Sequence, residues 1–280
     1  MKTCEVESAR RPHDAIEASH APRVGVTAIV PCFNEAEGVH DTIAQLRRAQ
    51  EACLPDYELH VLFIDDCSTD NTAQLIEEAI RGLPRFDLVK HAVNRGITGA
   101  IATGIVYAST DLVASMDADC TYDPTRLPDL LAKMSDDVAM VTASPYHPDG
   151  DVENVPGWRL WISGGCSQLY RWVMRTSFYT YTSCFRVYRR SALLDWQPRN
   201  TGFVGLVEMI RFLEERGERM VECPAVLKVR QFGQSKMRIL RVIGQHLKFI
   251  SATFLRRCTN QRELNRTTVH SNHPTNVSSC

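Results

Sequence analysis

Two carboxylates one residue apart, Asp117 and Asp119, directly follow the apolar run LVASM at residues 112–116. Such a run is typical of a buried strand, so both carboxylates are expected at the carboxyl end of that strand. Open α/β sheets bind their ligands at this edge. Carboxylates placed there can hold a hard divalent cation that also binds substrate phosphates. Because aspartates at strand ends also shape turns and cap helices, the pair alone is weak evidence for a metal site and leaves a structural role open.

Two more polar segments follow predicted strands. The run at 24–31 ends in proline and is followed by Asn34 and Glu37, which are expected to cap a helix with an apolar stripe. The strand at 59–64 ends in the segment DDCSTD at 65–70. Carboxylates, and not glycine-rich loops, therefore mark these strand ends.

The chain alternates strand and helix patterns over its first half. This alternation predicts an α/β fold with a mostly parallel sheet, flanked by helices and joined by right-handed crossovers. Small residues dominate the predicted helix at 97–108, which can therefore lie close to the sheet. The remaining predicted elements are strands at 86–90, 112–116, 138–143 and 221–229 and helices at 124–134, 158–174 and near 208–217.

Several functional classes lack support in the sequence. No G-x-G-x-x-G or Walker A segment occurs, which argues against dinucleotide oxidoreductases and P-loop enzymes. The ten cysteines form no C-x-x-C pair, so neither a structural zinc site nor a disulfide scaffold is indicated, and a reducing compartment fits best. A formal charge of -1 argues against a general nucleic-acid-binding surface.

The two ends of the chain are polar. Residues 1–23 carry no periodicity and no secretory signal, and we expect a disordered tail there and at 258–280. No run of about 18 apolar residues exists, so no transmembrane helix is expected. Residues 223–262 contain nine Lys or Arg and no Asp or Glu, which indicates a cationic arm.

Two helical segments suggest a membrane surface, although each pattern has a second interpretation. The first, 158–174, interleaves three tryptophans with arginines, as interfacial helices and core helices with snorkelling arginines both do. The second is a basic amphipathic helix at 236–257, whose apolar stripe suits either anionic lipid head groups or docking on the core. The stripe consists of Ile239, Ile243, Leu247, Ile250 and Phe254.

Three motifs together identify the chain as resembling family 2 glycosyltransferases of the GT-A fold. They are IVPCFNE at 29–35, IDDCSTD at 64–70 and MDAD at 116–119. Within that family the chain most resembles dolichol-phosphate (polyprenyl-phosphate) mannosyltransferases. The similarity covers roughly residues 24–250, and further matching segments are ENVP at 153–156, TSCFRVYR at 182–189, GF at 202–203 with Glu208, and RQFGQSK at 230–236.

The resemblance implies a Rossmann-like GT-A catalytic domain at 24–235 and assigns roles to particular residues. Asp117 and Asp119 would hold Mg²⁺ or Mn²⁺ on the donor diphosphate, and Asp66 would hydrogen-bond the nucleotide base. The other expected nucleotide or substrate contacts are Pro31, Phe33, Glu35, Ser183 and Glu208. The expected contacts to the donor diphosphate or the acceptor phosphate are Arg159, Arg230, Ser235 and Lys236, and we count Asp119, Arg159, Arg230 and Lys236 as the catalytic set.

Four positions depart from the family pattern. Thr121 stands where an acidic or amide residue would complete the metal shell, and Pro145 replaces an arginine that contacts phosphate. Cys184 replaces the glycine of a T-S-G-F element, and Thr180 stands where an aspartate precedes that element.

The resemblance implies inverting transfer of a hexose, with mannose from GDP-mannose as the first choice, to a polyprenyl phosphate at the cytoplasmic membrane face. Such an acceptor is already anionic, so it needs cations and no strong base, whereas a sugar hydroxyl needs a general base. Glu208 is the only candidate base, and its alternative role is structural, either at the helix surface or in orienting an arginine. The alternatives are a UDP-glucose-dependent member of the family with a lipid or glycan acceptor, a silent nucleotide-sugar-binding protein, and a sugar nucleotidyltransferase. The sequence indicates no oligomeric state.

Overall fold

The computed structural model describes residues 23–155, 157–228 and 239–270. Within these ranges, only the backbone is described for 158–159, 161–162, 239–241 and 258–270. The strands of the described residues are β1 (Val24–Cys32), β2 (Tyr57–Asp65), β3 (Phe86–Lys90), β4 (Leu112–Ser115), β5 (Val138–Ser144), β6 (Asp151–Glu153), β7 (Arg186–Arg189), β8 (Arg219–Pro224) and β9 (Val226–Lys228). The helices are α1 (Val39–Cys53), α2 (Thr72–Ile80), α3 (Gly96–Tyr107), α4 (Leu127–Leu131), α5 (Gly157–Val173), α6 (Arg190–Leu193), α7 (Phe203–Glu215) and α8 (Ile239–His270).

The main sheet has the strand order β3-β2-β1-β4-β7-β5-β8. Its strands run parallel except β7, which lies antiparallel between β4 and β5. A small parallel sheet joins β6 to β9. The predicted mostly parallel α/β sheet is therefore confirmed.

Helices cover both faces of this sheet, which explains why its central strands are nearly continuous apolar runs. On β1, Val26, Ala28 and Val30 pack into one core cluster with the apolar side of α1. Ile29 faces the opposite cluster, which includes residues of α3, α5, α7 and α8. Residues that neighbour each other on β1 thus belong to different cores.

The small residues of α3 bring that helix close to β1, as the sequence indicates. A Cβ atom built on Gly104 would lie 2.4 Å from Cγ2 of Ile29. Ile29 is completely buried in β1, so it has little room to move away. Gly104 therefore sets the distance between helix and sheet.

The predicted cap of the first helix is wrong. Asn34 has a left-handed backbone (φ 56°), and α1 begins only at Val39 after a 3-10 turn at Ala36–Gly38. The Asn34 side chain accepts a hydrogen bond from the N–H of Thr69 at 2.7 Å. The side chain that could have capped the helix therefore joins two loops, and Gly38 takes the cap position.

The sequence analysis did not foresee β7, and it joined two strands that are separate. The segment RVYR lacks a clear strand pattern, yet Arg186 is completely buried between β4 and β5. Its guanidinium donates to the carbonyl oxygens of Leu206 and Tyr181. The predicted strand at 221–229 is divided into β8, which pairs with β5, and β9, which pairs with β6, and residue 229 lies outside the described residues.

The last helix differs from its prediction in length. The expected helix was 236–257, but α8 continues to His270, so residues 258–270 are helical and not a disordered tail. These residues contain no proline or glycine that would end a helix. Residues 1–22, 236–238 and 271–280 lie outside the described residues.

The stripe of α8 is also displaced from its predicted position. His246, Phe249 and Thr253 are buried against the core, whereas Leu247 and Phe254 are about half exposed. The Tyr170 hydroxyl of α5 lies 2.6 Å from Nδ1 of His246, and burial lowers the pKa of this imidazole. Thus α8 docks on α5 through a side that the apolar pattern did not indicate. None of the described helices meets the length and hydropathy needed to span a bilayer.

Two glycine substitutions should have opposite effects on the free energy of unfolding. Gly104→Ala forces a Cβ against Ile29 and should destabilise the protein by about 1–3 kcal/mol. Gly164→Ala, in α5, meets no atom within 4 Å and should be neutral or stabilising by up to about 1 kcal/mol. Urea unfolding of both variants measures the difference. Equal effects would contradict the close α3–β1 packing.

Candidate active site

The loops that follow β1, β2 and β4 leave the same edge of the sheet. Cys32 at the end of β1 pairs with Asp65 at the end of β2. Ser115 at the end of β4 pairs with Ile29 of β1. Parallel strands therefore bring the three motifs together at their carboxyl ends, as the resemblance implies.

Side-chain hydrogen bonds join the first two loops. Besides the bond from Thr69 to Asn34, the N–H of Asn34 donates to Ser68 at 2.9 Å, and the N–H of Glu35 donates to Thr72 at 2.8 Å. Thr72 in turn donates to Asp70. The sequence analysis missed this network, although a cluster of Ser, Thr and Asp is a known signal for such side-chain-to-backbone bonds.

Asp66, the residue expected to contact the base, organises the loop before α3. Its Oδ1 accepts from the N–H of Arg95 at 2.8 Å, and its Oδ2 accepts from the N–H of Gly96 at 2.7 Å. The ring of His91 lies 2.7 Å from Oδ1, and both side chains are nearly fully buried. A carboxylate at a helix N-terminus satisfies N–H groups that have no partner inside the helix.

Only glycine fits at the first residue of α3. Gly96 has a φ of 72°, and a Cβ there would lie 2.1 Å from the carbonyl oxygen of Thr201. The loop before α7 therefore packs directly on Gly96, whose N–H donates a hydrogen bond to Asp66. Asp66 thus fixes a junction between two loops in addition to any contact with a ligand.

The loop carrying Asp117 and Asp119 is held on two sides. Thr42 of α1 donates to the carbonyl oxygen of Ala118 at 2.5 Å, and the N–H of Lys228 in β9 donates to Thr121 at 2.8 Å. Oδ1 of Asp119 accepts from the N–H of Thr121 at 3.2 Å. Thr121 therefore contributes its backbone to this loop, where the family pattern has a metal-shell side chain.

Negative charge is concentrated in this loop. The pKa of Cys120 is raised to about 12, first by burial and then by the charges of Asp119, Asp41, Asp117 and Asp123. Asp117 and Asp119 are each partly buried, and both supply hard oxygen donors. Within the described part of the chain, no group of three or more His, Cys, Asp or Glu side chains could hold a metal ion. Two carboxylates that share a cation with substrate phosphates fit Mg²⁺ or Mn²⁺.

The other departures from the family pattern lie in the protein interior. Cys184 is buried, and burial followed by the charge of Asp117 raises the pKa of its thiol. The hydroxyl of Thr180 lies 2.9 Å from that of Ser144, and its N–H donates to Glu222 at 3.0 Å. Pro145 is buried at the end of β5. Thr180 therefore has a structural role at this position.

Two of the residues expected to bind substrate are buried within the protein. The Ser183 hydroxyl donates to the carbonyl oxygen of Phe185 at 3.4 Å. Oε2 of Glu208 accepts from the backbone N–H groups of Arg199 and Asn200 and from the Asn200 side chain, at 3.0–3.1 Å. Glu208 is only 5% exposed, which favours its structural role over that of a general base.

The remaining expected contacts are only partly described. Pro31 lies in β1, and Phe33 and Glu35 follow it at the active edge, with Phe33 39% exposed. Arg159 lies in α5, but its side chain is not described. Arg230, Ser235 and Lys236 lie outside the described residues. The roles of these residues remain predictions.

A cavity of about 220 Å³ lies at the opposite edge of the sheet. Its lining includes Arg23 before β1, Tyr57 at the start of β2 and Phe86 at the start of β3. Because these residues lie at or just before the amino ends of the strands, the cavity is separate from the carboxylates at the carboxyl ends. The candidate site is therefore the carboxylate-bearing edge of the sheet and not this cavity.

Asp66→Ala should lower the free energy of unfolding by at least about 2 kcal/mol, because buried donors that lose their partner cost about 1–3 kcal/mol each. Asp87→Ala, which removes an exposed carboxylate of β3, is the matched control and should change it by less than about 0.5 kcal/mol. Urea denaturation gives both values. A similar small loss in both variants would show that Asp66 does not stabilise the loop.

Relatives of known name resemble this chain over most of its length. It is 29% identical over 218 residues to an undecaprenyl-phosphate mannosyltransferase of Micrococcus luteus, covering 76% of this chain and 87% of the relative. It is 26% identical over 227 residues to a dolichol-phosphate mannosyltransferase of Pyrococcus furiosus, covering 80% of this chain and 62% of the relative.

Solved structures share the fold at low sequence identity. A mannosyl-3-phosphoglycerate synthase from Rubrobacter xylanophilus superposes with a TM-score of 0.63 at 21% identity, covering 85% of this chain and 75% of that one. A glucosyl-3-phosphoglycerate synthase from Mycobacterium tuberculosis, in complex with Mn²⁺, UDP and phosphoglyceric acid, gives a TM-score of 0.59 at 18% identity and covers 84% and 78%. These likenesses confirm the GT-A architecture.

The family model described as glycosyl transferase family 2 matches residues 27–196, more than half of the chain. This range contains all three carboxylate-bearing loops and the paired strands that place them. The chain therefore belongs to the family 2 glycosyltransferases.

Proposed function

We propose that this glycosyltransferase transfers a hexose, mannose from GDP-mannose, with inversion to a polyprenyl phosphate at the cytoplasmic face of a membrane. The observation that carries the proposal is that the Asp117–Asp119 loop and the Asp65–Asp66 loop lie at the same carboxyl edge of the sheet, on either side of the end of β1. The names of the two relatives support the choice of acceptor and sugar.

Asp117 and Asp119 would hold the divalent cation, and the cation would stabilise the negative charge that develops on the nucleotide diphosphate. Thr42 and β9 keep this loop in place before substrate arrives. Preorganisation of this kind reduces the cost of positioning the donor. Arg159, Arg230, Ser235 and Lys236 would contact the donor or acceptor phosphates.

The surroundings of Glu208 suit an acceptor that needs no general base. A phosphate acceptor is already ionised near neutral pH, so its attack requires no removal of a proton by the enzyme. Glu208 accepts hydrogen bonds from backbone N–H groups that precede α7. This arrangement supports a lipid phosphate over a sugar hydroxyl as acceptor, because the hydroxyl would require a base.

A donor panel tests the sugar and the acceptor together. The purified protein is incubated with Mg²⁺ or Mn²⁺, a polyprenyl phosphate and labelled GDP-mannose, UDP-glucose or other nucleotide sugars. We expect lipid-extractable label from GDP-mannose. Label from UDP-sugars alone would refute the donor, whereas label found only in water-soluble glycan would refute the acceptor. Nucleotide binding without turnover would support a silent binding protein.

Asp119→Ala should lower turnover at least about 10³-fold, because the cation supplies several kcal/mol of transition-state stabilisation. The thermal midpoint should stay near that of the wild type, because Asp119 is only partly buried and lies in a loop after β4. Asp56→Ala, an exposed aspartate at the other edge of the sheet, is the matched control and should keep full turnover. Activity that survives Asp119→Ala would exclude a metal role for this residue.

A further inference from the structure

Large apolar side chains are exposed where α5 and α8 lie together. Trp172 is 73% exposed and Leu169 is 40% exposed on α5, while Phe254 is 54% and Leu247 is 49% exposed on α8. Arg257 of α8 donates to the carbonyl oxygen of Trp172 at 3.1 Å, and Phe254 lies one turn before Arg257 on the same side of its helix. We call Leu169, Trp172, Leu247 and Phe254 the α5–α8 patch.

The exposure of the patch does not result from loose docking of α5 or α8 on the core. Both helices bury another side against the core, through Tyr170 on α5 and His246, Phe249 and Thr253 on α8. The Tyr170 and Phe249 rings lie 6.3 Å apart in an edge-to-face arrangement. The exposed side chains therefore belong to the outer surface of a fixed helix pair. An exposed tryptophan among other apolar side chains is typical of an interaction surface.

The two stretches of chain that carry the patch, 154–194 and 223–262, contain no carboxylate side chains. The first stretch includes all of α5, and the second includes α8 up to residue 262. Exposed cations close to the patch in sequence are Arg175, Lys248, Arg256 and Arg257. Glu214 and Glu222 lie near the segment after α5, and their carboxylates accept from the N–H groups of residues 176, 179 and 180. The protein as a whole has a formal charge of only -1, so this positive charge is local.

We infer that the α5–α8 patch docks on the surface of an anionic lipid bilayer. Tryptophan and phenylalanine lie at the boundary between head groups and acyl chains, while Lys and Arg bind acidic head groups. Two carboxylate-free stretches, distant in sequence, meet at this one surface, which complements a surface of uniform negative charge. Docking itself is independent of the sugar donor, and only its use in reaching a lipid phosphate rests on the proposed function.

Vesicle flotation tests the docking with the full chain. The vesicles contain phosphatidylcholine with phosphatidylglycerol and no prenyl lipid. We expect the wild-type protein to float with them and to remain in solution with phosphatidylcholine alone. Trp172→Ala with Phe254→Ala, and separately Lys248→Glu with Arg256→Glu, should each weaken binding at least about tenfold, because the first pair removes apolar anchors and the second reverses charges that bind acidic head groups.

Matched substitutions elsewhere are the controls. Tyr107→Ala removes an aromatic ring that is 65% exposed at the end of α3, and Arg47→Glu with Arg48→Glu reverses exposed charges on α1. These controls should bind vesicles as the wild type does. Equal binding by the patch variants and the wild type, or no binding by the wild type, would overturn the inference. An equal loss in the control variants would overturn it as well.

A second assay separates docking from catalysis. Turnover of a short-chain, water-soluble prenyl phosphate is measured without vesicles. The patch variants should keep wild-type turnover there and lose it only with a long-chain acceptor in anionic vesicles. Loss of turnover with the soluble acceptor would overturn the docking role, because the substitutions would then act on the enzyme itself. Vesicle binding by a wild type that transfers no sugar would leave docking in place and refute the proposed function.

Discussion

Carboxylates lie together at one edge of the sheet, and those that are buried there need hydrogen-bond donors in place of water. Asp65, Asp66 and Asp119 are brought there by parallel strands that end side by side. Backbone N–H donors from Ser68, Arg95, Gly96 and Thr121 offset part of the charge. Hydrogen bonds to the charged form stabilise a carboxylate without removing its negative charge. The edge thus keeps a negative field suited to a cation and, through it, to a diphosphate.

The parts of the fold predicted from the sequence are those that local patterns determine. Runs of apolar residues indicated β1, β2, β4 and β5 to within a few residues, because these strands are mostly buried on both faces. The bond from Thr69 to Asn34 was not predictable in this way, because it joins residues 35 positions apart. A capping residue and a loop-joining residue have the same local signature. Contacts formed only in the folded protein determine which of these two roles the residue has.

The candidate site was predicted less completely than the sheet. The apolar run at 112–116 placed Asp117 and Asp119 correctly at a strand end, but nothing local indicated that Asp66 would bind the amides at the start of α3. Glu208 looked like a surface residue of an amphipathic helix, although it is buried by a loop that precedes its own helix. Burial by distant segments leaves no periodic trace in the sequence. The same reason explains why the buried side of α8 includes His246 and Thr253.

The antiparallel strand β7 has a consequence for how the chain is made. It lies between β4 and β5, which both precede it in the sequence, so the middle of the sheet is completed by a segment that leaves the ribosome after both of its neighbours. Until residues 186–189 emerge, β4 and β5 each present an unpaired edge, and such edges are templates for pairing with other chains. A nascent or truncated chain that ends before β7 is therefore the form of this protein most exposed to aggregation and most dependent on chaperones.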